Sequence, residues 1–351
     1  MSFFAVTIEE ISEVRNHTNA DRLSVATLKG LGFQFIIGKD TWQVGQKCLY
    51  FPLDSVLPDH LLKALNVEGK LAGAKKNRIK TIKLRGEISQ GLIGPLSLID
   101  GLPEEQRSPE EITKFLEVSK YEPEIDLPIF QDANLVDLPN GVGIYDIENC
   151  ERFPQAVSDL MTQEVAITEK VEGSHFALAY VDGKVWVCQR RFAIQVLPEK
   201  PKHFFWEVAE QQQLFQFFEE LISKLKARHL VLRGEILGPN IQKNIYRMNE
   251  RKVLFFELML EHRYIDSERF FGLFEECGRA HLLVPIIARK VVLKDWLAGK
   301  PLQEAANGES ALYKVAREGI VIRPHKEQTH QEVDGRLILK QISPEYLAGA
   351  G

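Results

Sequence analysis

A lysine at position 170 sits inside Glu169-Lys170-Val171-Glu172-Gly173, where an alternating run beginning at Val165 meets a glycine turn. An amine there can act as a nucleophile only when uncharged, and its pKa in water is about 10.4. Burial or a neighbouring cation must bring that value down. Taken alone, Lys-x-x-Gly is what an ordinary surface hairpin produces, so the weight falls on the short patterns C-terminal to it. Arg190-Arg191-Phe192 comes after the next hairpin. Arg233-Gly234-Glu235-Ile236-Leu237-Gly238 places an acid at a strand end beside a Gly-Pro turn. Leu254-Phe255-Phe256-Glu257-Leu258, Glu318-Gly319-Ile320-Val321-Ile322-Arg323 and Leu339-Lys340-Gln341-Ile342 complete the series.

The elements that must hold these residues read as strands with inserted helices. Val165 to Thr168 alternates, and Phe176–Val181 and Lys184–Val187 flank Asp182-Gly183, a strong two-residue hairpin signal. One amphipathic helix is predicted over about 203–228, with Leu214, Phe218, Leu221, Ile222 and Leu225 on one face. Strands are predicted over 230–237 and 252–258, then a helix over 267–278, then strands over 319–323 and 336–342. Phe255 and Phe256 point to opposite faces of their strand, so one can be core while the other faces a pocket. The class is α+β, with antiparallel strands.

Ahead of this lies a different pattern. Leu23–Leu28, Phe33–Ile37 and Cys48–Phe51 are short strands separated by glycine turns, as in a small barrel. Asn19-Ala20-Asp21-Arg22-Leu23, then Gly45-Gln46-Lys47-Cys48-Leu49-Tyr50-Phe51, then Lys83-Leu84-Arg85-Gly86-Glu87, in that order, resemble the OB-fold tRNA-binding domain appended to some tRNA synthetases. The net charge of −5 argues against a general grip on nucleic acid, but it is unevenly spread. Between Leu61 and Gln90 eight Lys/Arg face only Glu68 and Glu87. Lys75, Lys76, Arg78, Lys80, Lys83 and Arg85 are therefore candidate phosphate contacts. The domains read as 1–100 for the barrel, 101–150 for an acidic Pro/Gly-punctuated linker and lead-in, and 151–351 for the second domain.

The ordered series in that second domain resembles motifs I, Ia, III, IIIa, IV and V of the covalent nucleotidyltransferases, the ATP-dependent ligases and mRNA capping enzymes. The resemblance implies that Lys170 attacks the ATP α-phosphorus to form lysyl-AMP. It implies that Arg190 or Arg191 contacts nucleotide or 5′-phosphate, that Glu235 accepts from a ribose hydroxyl, and that Phe256 stacks on adenine. Glu318 would help hold Mg2+ or Mn2+, Lys340 would bind the α-phosphate, and Glu169 and Val171 would line the adenine site. Such chemistry needs charge neutralisation and alignment more than covalent help. Two departures stand out: Glu172 replaces a common Asp, and Ile338 occupies the first position of a Lys-x-Lys pair.

DNA ligases and capping enzymes carry a further OB domain after motif V, whereas this sequence stops soon after Lys340. The order OB domain then nucleotidyltransferase domain is similar to the bacterial nick-sealing RNA ligases. That resemblance implies an RNA ligase using ATP and Mg2+ (or Mn2+) on RNA, or on a nicked RNA-containing duplex, with no obligate protein partner. A DNA-sealing ligase of unusual domain order and a non-catalytic RNA-binding OB protein are the alternatives. Four scattered cysteines, no signal-peptide pattern and no membrane-length apolar run lead to an expected cytoplasmic location.

Overall fold

In the computed structural model, which describes residues 4–121, 134–197 and 202–349, the chain divides into two compact units. The first is built from residues 2–123 with 150–154. Its main sheet has five strands in the order Gln34–Gly38, Leu23–Leu28, Thr7–Asn16, Lys47–Phe51, Leu92–Gly94, with every ladder antiparallel. The strand Thr7–Asn16 is ten residues long and bulges between Ile11 and Glu13. Its first half pairs with Lys47–Phe51 and its second with Leu23–Leu28, so it bends the sheet on itself. Hairpin Ile82–Leu84/Glu87–Ser89 extends the curve: Gln34 donates to the Ile88 carbonyl at 2.7 Å and Ile36 N–H donates to the Ser89 hydroxyl at 3.1 Å.

Alternation divides the apolar side chains of this unit. Cys48 and Tyr50 join Ile11, Phe35 and Ile37 inside the sheet, while Leu49 and Phe51 face Leu57, Leu61, Ile112 and Leu116. Part of the segment read as linker is therefore core of the first unit. Helix Pro109–Phe115 starts at Ser108, whose hydroxyl accepts from Glu111 N–H, and its apolar face covers the sheet. The acidic residues and prolines mark the helix start, and the partners of its apolar face lie too far away in sequence for a local pattern to show them. The rest of that acidic stretch, 122–133, lies outside the described residues.

The second unit, residues 124–149 with 155–346, has two large sheets and a two-stranded one, Thr329–His330 with Gly335–Arg336. The seven-stranded one runs Asn134–Asp137, Phe192–Gln195, Lys184–Cys188, Ser174–Val181, Leu230–Leu237, Lys252–Leu260, Arg263–Tyr264. The five-stranded one runs Glu148–Asn149, Leu339–Ile342, Gly319–Pro324, Glu164–Lys170, Ile286–Val292. Only the pairing of Glu148–Asn149 with Leu339–Ile342 is parallel. Helices Phe204–Gln211, Leu214–Leu225 and Ser267–Glu276 bury Phe205, Phe217, Phe218, Phe270 and Phe274 against Phe176, Leu232 and Phe255.

The single helix expected over 203–228 is thus two. Gln213 adopts φ +56° and ends the first, and Gln212 turns its side-chain carbonyl to accept from Val253 N–H at 2.7 Å. Amphipathic spacing alone cannot register such a break, because both segments keep the same apolar face. Among the described residues no helix is long and apolar enough to cross a membrane, and all four cysteines are free.

One glycine fixes the approach of two site-bearing strands. A Cβ on Gly319 would lie 2.2 Å from the Gln341 carbonyl oxygen, in the ladder joining the strand of Glu318 to that of Lys340. Gly319→Ala is expected to destabilise the protein by roughly 1–3 kcal/mol through overpacking. A lowered thermal midpoint relative to wild type, measured by circular dichroism, checks this.

Candidate active site

Between the two large sheets of the second unit lies a cleft. The five-stranded sheet contributes Thr168, Glu169, Lys170, Val321, Arg323 and Lys340; the seven-stranded sheet and its loops contribute His175, Arg190, Glu235 and Phe256. Lys170 ends its strand opposite Gly319, and the next turn folds back through Gly173. A Cβ on Gly173 would come within 2.6 Å of Glu235 Cγ and the Ile236 carbonyl, so this glycine lets the lysine turn close onto the strand of Glu235.

Lys170 Nζ donates to Glu318 Oε1 at 2.5 Å. Burial alone pushes the lysine pKa down, but the Glu318 carboxylate, Glu235, the Glu318 hydrogen bond and Glu172 together outweigh it. The result is a pKa above the ordinary lysine value. The nearest partners of Lys170 are acids, which favour its charged form in this cleft; attack on a phosphorus requires the uncharged amine only once a nucleotide is present. Glu235 responds in the opposite sense. Burial lifts its pKa to about 8, with Lys170 opposing and Glu318 reinforcing the rise.

On the other side Asp146 joins two cations. Arg190 Nη2 lies 2.8 Å from Asp146 Oδ2, and Lys340 Nζ lies 3.8 Å from its Oδ1. Burial lowers the Lys340 pKa, Asp146 pulls against this, and the charge of Lys170 adds to it. Arg190 lines the cleft, while Arg191 is not among the lining residues. Phe256 also lines it and Phe255 is core, as strand alternation requires. Tyr145 lies 5.3 Å from Phe256 and stacks on His175 at 5.5 Å, forming an aromatic wall. Burial, with Arg233 and Arg190 nearby, drops His175 to about 3, so the ring in this wall is neutral. Val171 is buried beside the cleft, and Glu169 lines it while its carboxylate binds Ser310 and Ala311.

Tyr145, Asp146 and His175 escaped the sequence reading. The first two lie in the stretch read as lead-in, where only Gly141 and Gly143 hint at a constrained loop, and His175 comes two residues after the glycine of the turn. No cluster of three or more His, Cys, Asp or Glu side chains suited to holding a metal occurs among the described residues. Glu318 Oε2 is nevertheless buried without a partner, which fits a single carboxylate ligand to a divalent ion otherwise held by water and phosphate. In the first unit, Lys75, Lys76, Lys80, Lys83 and Arg85 are exposed. Arg78 differs: it pairs with Asp54 at 2.6 Å and lies 3.5 Å over the Tyr121 ring, so part of its role is structural.

Residues 163–342, just over half the chain, match the RNA ligase family, and residues 5–96 match an OB-fold domain. The chain belongs to the RNA ligase family. Its architecture is mixed α+β, an OB fold followed by a ligase domain. No curated protein matches it in sequence. Among solved structures it is similar to Naegleria gruberi RNA ligase with PPi, at 22% identity and a TM-score of 0.78, covering 99% of this chain and 98% of that one. A mutant of that ligase with ATP and Mn matches at 22% identity and a TM-score of 0.79, over 98% of both chains. A mutant with AMP and Mn matches at 21% identity and 0.79, again over 98% of both. At these identities the likeness concerns the fold.

The raised pKa of Glu235 has a consequence for this ligase without its substrates. Below about pH 4.5 the carboxyl is protonated in folded and unfolded chains alike, so it adds no pH dependence. Between there and about 8 the folded chain holds a proton that the unfolded chain has lost, so stability falls as pH rises. Glu235→Gln should remove this loss. Its thermal midpoint is expected to exceed that of wild type at pH 8.5 and to match it near pH 4.5, in parallel melts of both proteins.

Proposed function

We propose that the ligase uses ATP to form a covalent lysyl-AMP on Lys170, passes the AMP to an RNA 5′-phosphate, and joins that end to a 3′-hydroxyl in a nicked duplex, the hydroxyl oxygen displacing AMP from the phosphorus. The observation that carries this reading is the convergence of Lys170, Glu235, Glu318 and Lys340 around one cleft with an aromatic wall. In the first step the Lys170 Nζ–phosphorus bond forms, the bond from the α-phosphorus to the bridging oxygen breaks, and pyrophosphate leaves. Lys340 and Arg190 lie where positive charge can meet the α-phosphate and the incoming 5′-phosphate, with Asp146 orienting both. Phe256 stacks on adenine, Val171 and the Glu169 backbone line its edge, and Glu235 accepts from the ribose.

Lys170 must lose a proton before it can attack, and Glu318 Oε1 is already its hydrogen-bond partner. Glu318 would hold a divalent cation through its unpartnered Oε2, and such an ion would supply positive charge beside the phosphates and weaken the carboxylate field that favours the protonated lysine. Loss of the proton therefore accompanies nucleotide entry instead of preceding it. The exposed lysines at 75, 76, 80 and 83 provide a phosphate-binding face on the OB fold. This composition suits a cytoplasmic RNA-joining role.

The test is direct. Incubation with labelled ATP and Mg2+ or Mn2+ should leave label on the wild-type protein through a denaturing gel, and Lys170→Ala should carry none. The labelled protein should seal a nick whose 3′-hydroxyl end is RNA at least tenfold faster than one ending in DNA. Label persisting on Lys170→Ala rejects the nucleophile, and equal sealing of both nicks rejects the RNA preference.

A further inference from the structure

The two carboxylates that flank Lys170 each fasten a surface loop. Glu169 accepts from the Ser310 hydroxyl at 2.5 Å and from Ala311 N–H at 3.0 Å, holding the loop over 307–318. Glu172 accepts from Lys243 N–H at 3.2 Å, and its own N–H donates to the Tyr246 hydroxyl at 2.7 Å, holding the loop over 238–251. The loops also grip each other, because Ile245 and Met248 from one pack with Leu312 and Val315 from the other around Val171 and Leu254. The second loop is stiff: Asn240, Gln242, Asn244 and Arg247 are left-handed, and the Asn244 side chain clasps both Met248 N–H and its carbonyl.

The joined loops present Arg247, Tyr313 and Lys314, all exposed, with the Arg247 guanidinium 5.7 Å from the Tyr313 ring centroid. Among the described residues no carboxylate pairs with Arg247 or Lys314. None of the three lines the nucleotide cleft. Two cations without a carboxylate partner, close in the chain or in space to an exposed aromatic ring, form a combination that binds a nucleic-acid strand, phosphate on the cations and a base on the ring.

We propose that Arg247, Tyr313 and Lys314 form a strand-contact rim on the ligase domain, separate from the basic face of the OB fold. The proposal rests on the reading of the chain as a lysyl-AMP-forming ligase. Phosphate is the shared chemistry of an RNA strand and of the ATP triphosphate tail. The strand is favoured because the rim stands outside the cleft and includes a ring that a triphosphate does not need. Attachment through Glu169 and Glu172 ties the rim to the residues on either side of the nucleophile.

The experiment compares the full chain with Arg247→Glu/Lys314→Glu, with Tyr313→Ala and with Arg247→Lys. It measures lysyl-AMP formation from labelled ATP and binding of a nicked RNA duplex over a salt series. All variants should form lysyl-AMP within about twofold of wild type, which also shows that they fold. The double reversal should bind the nick about tenfold or more weaker near 0.1 M salt, with a salt slope shallower by about 1–2. Tyr313→Ala should weaken binding about tenfold with an unchanged slope, and Arg247→Lys should behave as wild type. Wild-type nick binding and slope in both the double reversal and Tyr313→Ala overturn the rim. So does lost adenylylation with nick binding retained, which assigns these cations to the triphosphate. Wild-type protein that takes up no label defeats the ligase reading itself, an outcome distinct from adenylylated variants that bind nicks normally.

Discussion

An ammonium held 2.5 Å from a carboxylate, where two antiparallel strands end side by side, governs the chemistry of this cleft. Removing one member of such a partly buried pair leaves the other without compensation, at a cost of several kcal/mol by general experience. Charge can therefore enter the cleft only by substituting for charge already there. Gly319 allows the strands close enough for the pair to form, and Glu235 absorbs the electrostatic strain by holding a proton near neutral pH.

Much of the ligase domain was legible because its strands obey simple rules. Leu230–Leu237 falls where alternation and the Gly-Pro turn place it, and Asp182-Gly183 turns a hairpin with both residues left-handed. Phe255 and Phe256 divide between core and cleft as neighbours on a strand must. Lys170, Glu235 and Lys340, which line the cleft, and Glu318, which bonds Lys170, were legible only as an ordered set, since each short pattern alone is commonplace.

What stayed hidden depends on contacts distant in sequence. Asp146 bridges Arg190 and Lys340 because a two-residue parallel pairing brings its segment beside the strand Leu339–Ile342, and no local pattern encodes that partner. The immediate surroundings of Lys170 were hidden for a related reason. Sequence shows which charges exist but not which lie closest, and here the carboxylates are nearer than the cations. The long strand Thr7–Asn16 was obscured by its acidic residues, which suit a strand that bulges and is partly exposed.

The interruption after Gln211 has an effect beyond shortening a helix. By freeing Gln212 to meet the backbone amide of Val253, it pins the first turn-out of the strand that carries Phe256. A side chain from the helical layer thereby satisfies a backbone amide near the start of a strand whose register is held by its ladder with Leu230–Leu237, so the helix break and the strand that carries the aromatic wall are joined by one amide.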